Sequence, residues 1–130
     1  MRMDRREPAT TPTRGVGARW EDAALQFLLA AGLRLVERNF TCRFGEIDLV
    51  MRDAGSLVFV EVRFRDSARH GSGTLSVGPA KRTKLVRAAS IWLQAHPSCA
   101  GEACRFDVVG CSGAPQAPVF EWTRAAFDAL

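Results

Sequence analysis

The sequence predicts an α/β domain. Segments 18–31 and 79–94 repeat apolar residues at helical spacing, whereas the runs Phe44–Arg52 and Leu57–Arg65 are strand-like and joined by a short turn, so the sheet starts antiparallel. At 130 residues the chain is long enough for one domain with a single core. No run reaches membrane-span length, and residues 1–14, rich in Arg, Thr and Pro, lack the apolar centre of a signal peptide, which points to a cytoplasmic protein without a membrane partner. Four cysteines (Cys42, Cys99, Cys104 and Cys111) show no Cys-x-x-Cys spacing, and His70 and His96 are not grouped with them as a zinc site. They read as reduced structural thiols, although Cys99 and Cys104 could pair on oxidation.

Residues 1–14 carry few apolar groups and two prolines, and read as a disordered leader before a single domain over 15–130. A first helix runs from about Ala18 to Ala31, with Trp20, Ala23, Ala24, Phe27, Leu28 and Ala31 on its apolar side and Gly32 as its C-terminal cap. Glu21 lies at the margin of that side, where a first-turn acid also complements the helix dipole. Leu33–Phe40 reads as a strand, with Asn39 and Thr41 turning into the hairpin. The segment Asp66–Gly78 is a Gly- and Ser-containing loop, either a substrate-contacting flap or a plain surface loop. Pro79 suits the first turn of a helix reaching about Gln94, with Leu85, Ala88, Ala89, Trp92 and Leu93 buried. A strand Cys104–Cys111, a Pro-rich link, a short strand Val119–Trp122 and one or two helical turns over Thr123–Leu130 complete the chain.

The hairpin carries the chemistry. Alternation sets Glu46, Asp48 and Val50 on one face against Ile47, Leu49 and Met51, and sets Leu57, Phe59, Glu61 and Arg63 against Val58, Val60, Val62 and Phe64. A reversal between Ala54 and Gly55 pairs residues whose numbers sum to 109 and places Asp48 across from Glu61. Facing acids repel unless a positive charge lies between them, and a divalent cation would supply it. A longer, bulged loop would instead shift the register by one and move an acid to the opposite face, and acids on an edge hairpin can simply face solvent.

Net charge is +4, but its distribution is uneven: Arg63, Arg65, Arg69, Lys81, Arg82, Lys84 and Arg87 face only one acid, Asp66, in that interval. A solvated helix face explains such a run, yet its place beside paired carboxylates favours a polyanion. Together, Glu21, Asp48, Glu61 and Arg63 form a constellation able to hold Mg²⁺ or Mn²⁺ at Asp48 and Glu61 beside a substrate phosphate. Arg65, Lys81, Arg82 and Lys84 are then the candidate nucleic-acid contacts.

At these residues the chain resembles a known family. Phe-Gly-Glu-Ile-Asp-Leu-Val (44–50), Phe-Val-Glu-Val-Arg-Phe-Arg (59–65), Trp-Glu-Asp-Ala-Ala (20–24), Lys81 and Arg-Phe-Asp-Val-Val (105–109) are similar to the YraN-like family (UPF0102) of small bacterial proteins. That family is in turn similar to Holliday-junction resolvases and restriction endonucleases of the PD-(D/E)xK superfamily. The resemblance implies a restriction-endonuclease-like α/β core, a mixed central sheet flanked by helices, and a metal-dependent phosphodiesterase site. It implies Asp48 and Glu61 as metal ligands, Glu21 as an outer ligand or water-orienting group, and Lys81 as a phosphate contact. Glu46 matches the motif without an assigned role; alternation makes it an outer partner of Asp48. Related resolvases act as dimers, and an apolar strand edge could support a homodimer here. Arg63 departs from the superfamily pattern, which has lysine, and a guanidinium cannot accept a proton as a lysine amine can. The expected function is a divalent-metal-dependent nuclease on structured DNA or RNA, DNA first. The alternatives are a nucleic-acid-binding protein on the same fold with impaired turnover, and a structural protein without a nucleic-acid role.

Overall fold

The structure, a computed structural model, describes residues 12–64, 77–114 and 116–128. Its elements are α1 (Pro12–Ala30), β1 (Arg34–Cys42), β2 (Gly45–Asp53), β3 (Ser56–Phe64), α2 (Pro79–Ala95), a 3₁₀ turn (Pro97–Cys99), β4 (Ala103–Ala114) and β5 (Ala117–Phe127). The five strands lie in the order β1-β2-β3-β4-β5. All neighbours are antiparallel except β3 and β4, which run parallel and are linked through α2. This mixed sheet with two helices is consistent with the expected restriction-endonuclease-like core. Residues 1–11 of the expected leader, Arg65 and most of the expected loop (Asp66–Ser76) lie outside the described residues. Among the described residues, no helix is long and apolar enough to cross a membrane.

Strand alternation sorts the core into two layers. Val58 and Val60 pack with Trp20, Ala24, Leu25 and Leu28 of α1, while Leu57 and Phe59 pack with Leu85, Ala88, Ala89 and Trp92 of α2. The helices therefore cover opposite faces of the sheet. Helix α1 begins six residues before the expected Ala18 and ends as the sequence predicts. Gly32 has φ 105°, its N–H donates to Leu29 O, and Leu33 N–H donates to Leu28 O. These are the two bonds of a Schellman cap, and Leu28 and Leu33 are buried in one cluster as that motif favours.

The hairpin register also holds: Leu49 pairs with Val60 and Asp53 with Ser56, across a two-residue turn in which Ala54 takes φ 55°. Three expectations are corrected. Asn39 does not turn the chain, because β1 continues to Cys42 and reverses at Arg43-Phe44; Asn39 is instead accommodated inside the strand with φ 55°. Ile47 does not share a side with Leu49 and Met51, but packs with Val50 on the α2 side. The register passes from Arg38 opposite Leu49 to Phe40 opposite Ile47 without a pairing of Asn39 with Asp48, and the alternation slips at that point.

The third correction concerns the C-terminus, where Thr123–Phe127 is strand, not helix. The buried Asp107 carboxylate, 1% exposed, decides this. It accepts Trp122 Nε1–H and Ala125 N–H, each at 2.9 Å, and is clamped by Arg105, which also reaches Asp53. Ala125 takes φ 49° to turn its N–H inward, and the β4–β5 register shifts there, between Phe106 and Val108. A second shift, between Leu35 and Glu37, bulges the other edge strand, β1.

Removing the Asp107 carboxylate leaves Trp122 Nε1–H and Ala125 N–H without this buried acceptor and Arg105 with only its outer partner, Asp53. Asp107→Ala should therefore destabilise the fold by roughly 3 kcal/mol or more, measured by urea unfolding, whereas Asp53→Ala, which leaves Arg105 its inner partner, should cost about 1 kcal/mol or less.

Candidate metal centre

Acids from α1, β2 and β3 converge where the β2–β3 ladder gives out. Its last pair is Leu49 with Val60, and beyond it Val62 N–H donates to the Asp48 side chain, to Oδ2 at 2.8 Å. Asp48 thus stands in for a ladder partner, which fixes its carboxylate against β3. Glu61, one residue before Val62, is mostly buried (side chain 13% exposed), and its Oε2 lies 3.5 Å from Lys81 Nζ on α2. Lys81 is 51% exposed, so the pair is open to solvent on the lysine side.

The electrostatics reflect crowding. Burial, then the Glu61 charge, push Asp48 from its ordinary 3.8 up to about 7; the Val62 N–H opposes this, and Glu21 and Glu46 add to it. Burial also raises Glu61, with Lys81 and Arg63 pulling the other way. Four acids therefore share one neighbourhood. Glu21 Oε1 accepts from Asn39 Nδ2 at 2.9 Å and from Arg38 at 3.2 Å, and the same Asn39 amide donates to Glu46 Oε2 at 3.0 Å. Arg38 also binds Asp22 at 2.8 Å.

The structure brings together Glu21, Asp48, Glu61 and Lys81. Arg63 lies at the exposed end of β3, close enough for its charge to act on Glu61. Lys84 lines, with Lys81, Phe44 and Glu46, a small cavity of about 30 Å³ beside the acids. Arg82 is turned elsewhere: its Nε donates to Val77 O, its guanidinium covers Phe127, and it lines a separate cavity of about 590 Å³ with Thr83, Val86 and Arg87. Arg65 is outside the described residues. Asn39 and Arg38 were missed as site residues. A usable signal existed, since asparagine is poor inside a strand and, glycine aside, among the residues most tolerant of positive φ.

Among the described residues, no group of three or more Asp, Glu, His or Cys side chains forms a ready cage for a metal ion. Two largely buried carboxylates nevertheless suit Mg²⁺ or Mn²⁺, since magnesium commonly keeps several waters and uses one or two protein carboxylates. A dication between them would also offset the burial, and after it the Glu61 charge, that hold Asp48 protonated near neutrality.

Residues 20–111 match the model of the uncharacterised protein family UPF0102. A UPF0102 protein of Xanthomonas oryzae pv. oryzae (strain PXO99A) is 55% identical over 122 residues, covering 94% of this chain and 97% of that protein. A UPF0102 protein of Alkalilimnicola ehrlichii is 48% identical over 128 residues, 98% of each chain, and one of Stutzerimonas stutzeri is 49% identical over 108 residues, covering 83% of this chain and 90% of that protein.

Between about pH 4 and 7 the folded chain retains a proton on Asp48 that the unfolded chain has shed. Its contribution to stability is complete below about pH 4, falls as pH rises, and is gone above about pH 7. Metal-free wild type should lose on the order of 3 kcal/mol across that window relative to Asp48→Asn, measured by urea unfolding at each pH. Saturating Mn²⁺ should remove most of the difference.

Proposed function

The chain belongs to the uncharacterised family UPF0102, and on that premise we propose that it is a cytoplasmic, divalent-metal-dependent nuclease that hydrolyses phosphodiesters in structured nucleic acid, DNA in preference to RNA. The observation that carries this reading is the Asp48–Glu61 pair, two mutually repelling carboxylates on adjacent strands with a helix-borne lysine 3.5 Å from one of them. Burying two like charges is costly, and a site for a dication gives the cost a purpose.

Asp48 and Glu61 would hold the ion, which, when bound, polarises the phosphate and lowers the pKa of its water. The chain's own groups do the rest. Lys81 places a cation beside Glu61, where negative charge grows in the transition state. Glu21, tied to Asn39 and Arg38, is an acceptor able to orient a water. Arg63 cannot take a proton, so its contribution is electrostatic, and Lys81 is the nearest amine able to replace the lysine of the superfamily pattern. Along α2 the cationic surface continues: Arg87 lies 5.3 Å over the Phe44 ring, which Arg43 also covers at 4.8 Å. Such alternation of guanidinium and aromatic surface suits a nucleic-acid backbone and its bases.

A second reading, a nucleic-acid-binding protein without turnover, is favoured by Arg63 itself and by the Lys81–Glu61 ion pair, which already neutralises part of the acidic charge. Cleavage assays separate the two. Branched, single-stranded and duplex substrates in Mg²⁺ or Mn²⁺ should be cut by wild type and not by Asp48→Ala. Arg63→Lys should raise the rate, within the roughly 10²–10⁴-fold range of general acid–base help. No cleavage by either wild type or Arg63→Lys, with binding intact, establishes the second reading.

Binding in EDTA should weaken steeply with salt. Neutralising Lys81, Arg82 and Lys84 together should flatten the log–log slope by about 2 to 3, and binding that ignores salt would exclude both readings.

A further inference from the structure

Asn39 occupies a position that neither the hairpin nor the core requires. It lies within β1 opposite Asp48, in the left-handed region with φ 55°, where the pairing passes from Arg38–Leu49 to Phe40–Ile47. Its amide nitrogen donates to Glu21 Oε1 at 2.9 Å and to Glu46 Oε2 at 3.0 Å, so both of its N–H bonds are spent on carboxylates. Only this orientation is tenable, because the amide oxygen in the same place would face two acids.

Two separate properties of one residue therefore meet here. The backbone conformation belongs to the irregularity in the strand opposite Asp48, and the side chain draws together an acid from α1 and an acid from β2 that would otherwise repel. We infer that Asn39 is a positioning residue for the metal centre: its amide holds Glu21 and Glu46 as outer acceptors for the water carried by an ion at Asp48 and Glu61. This rests on the proposed metal site. It adds that the two glutamates act through a shared donor, not as direct ligands. Outer hydrogen-bonding partners of this kind commonly change metal affinity by about 10–100-fold.

Glycine separates the two properties, since it accepts positive φ and has no amide. Asn39→Gly should unfold within a few degrees of wild type, yet bind Mn²⁺ about 10-fold or more weakly, followed by calorimetry and by the Mn²⁺ resonance signal. Asn39→Ala should lose thermal stability as well, because alanine resists that backbone. Asn39→Asp, which keeps the shape but turns the donor into a third facing acid, should not restore what glycine loses for the apo protein's ordering of Glu21 and Glu46, read from their side-chain carboxyl resonances. Wild-type Mn²⁺ affinity in Asn39→Gly overturns the assignment, as does a loss of affinity that merely follows a loss of stability. If wild type binds Mn²⁺ but cleaves nothing, the nuclease reading falls while the role of Asn39 stands; if wild type does not bind Mn²⁺, both fall.

Discussion

This fold has to accommodate two neighbouring acids, Asp48 and Glu61, that are largely withdrawn from water at the end of the β2–β3 ladder. Both side chains are drawn out of water by the strands that carry them, and burial is the first cause that raises each; the Glu61 charge then adds to Asp48, and the Glu46 charge to Glu61. A sheet tolerates such a pair only where its ladder is already interrupted, since an uninterrupted pairing would set the acids face to face in apolar surroundings. Here the β2–β3 pairing ends at Leu49 and Val60, and the Asp48 carboxylate takes up the Val62 N–H. The discontinuity and the site are one feature.

A comparison within the same molecule shows what a purely structural acid looks like. Asp107 is more deeply buried than Asp48, but a guanidinium, an indole N–H and a peptide N–H converge on it. It organises the β4–β5 edge and leaves nothing for a ligand. Asp48 accepts the Val62 N–H, and three acids raise its affinity for a proton. Two aspartates on neighbouring parts of one sheet thus differ in kind, one locked by converging donors and one left with a raised affinity for a proton.

Much of this was legible from local chemistry. Ala54-Gly55 set the hairpin register, Gly32 the end of α1 and Pro79 the start of α2, because turn geometry and caps depend on residues close in sequence. Glu21, Asp48, Glu61 and Lys81 could be nominated because acids in apolar strands and a crowded basic helix are visible as composition. Asn39 was not read correctly, since a turn-forming residue in a strand looks like a turn until its side-chain partners are known. Ile47 followed the strict alternation rule on paper and broke it in the fold, for the same reason. The extension of β5 was also hidden: Thr-Arg-Ala-Ala-Phe has fair helical propensity, and only the distant Asp107, through Trp122 and Ala125, draws it into the sheet.

The two register shifts have an effect on colloidal behaviour. Among the described residues β1 and β5 form the two margins of the sheet, and Leu35 and Val36 on one and Val119 on the other are exposed apolar groups. Straight margins of that kind template the addition of further strands and lead to fibres. A bulge at Leu35/Glu37 and a left-handed residue at Ala125 spoil the even spacing of hydrogen-bonding groups along both. Both margins also carry charged residues, Arg34, Glu37 and Arg38 on one and Glu121 and Arg124 on the other, so edge growth into fibres is discouraged by charge as well as by uneven backbone spacing.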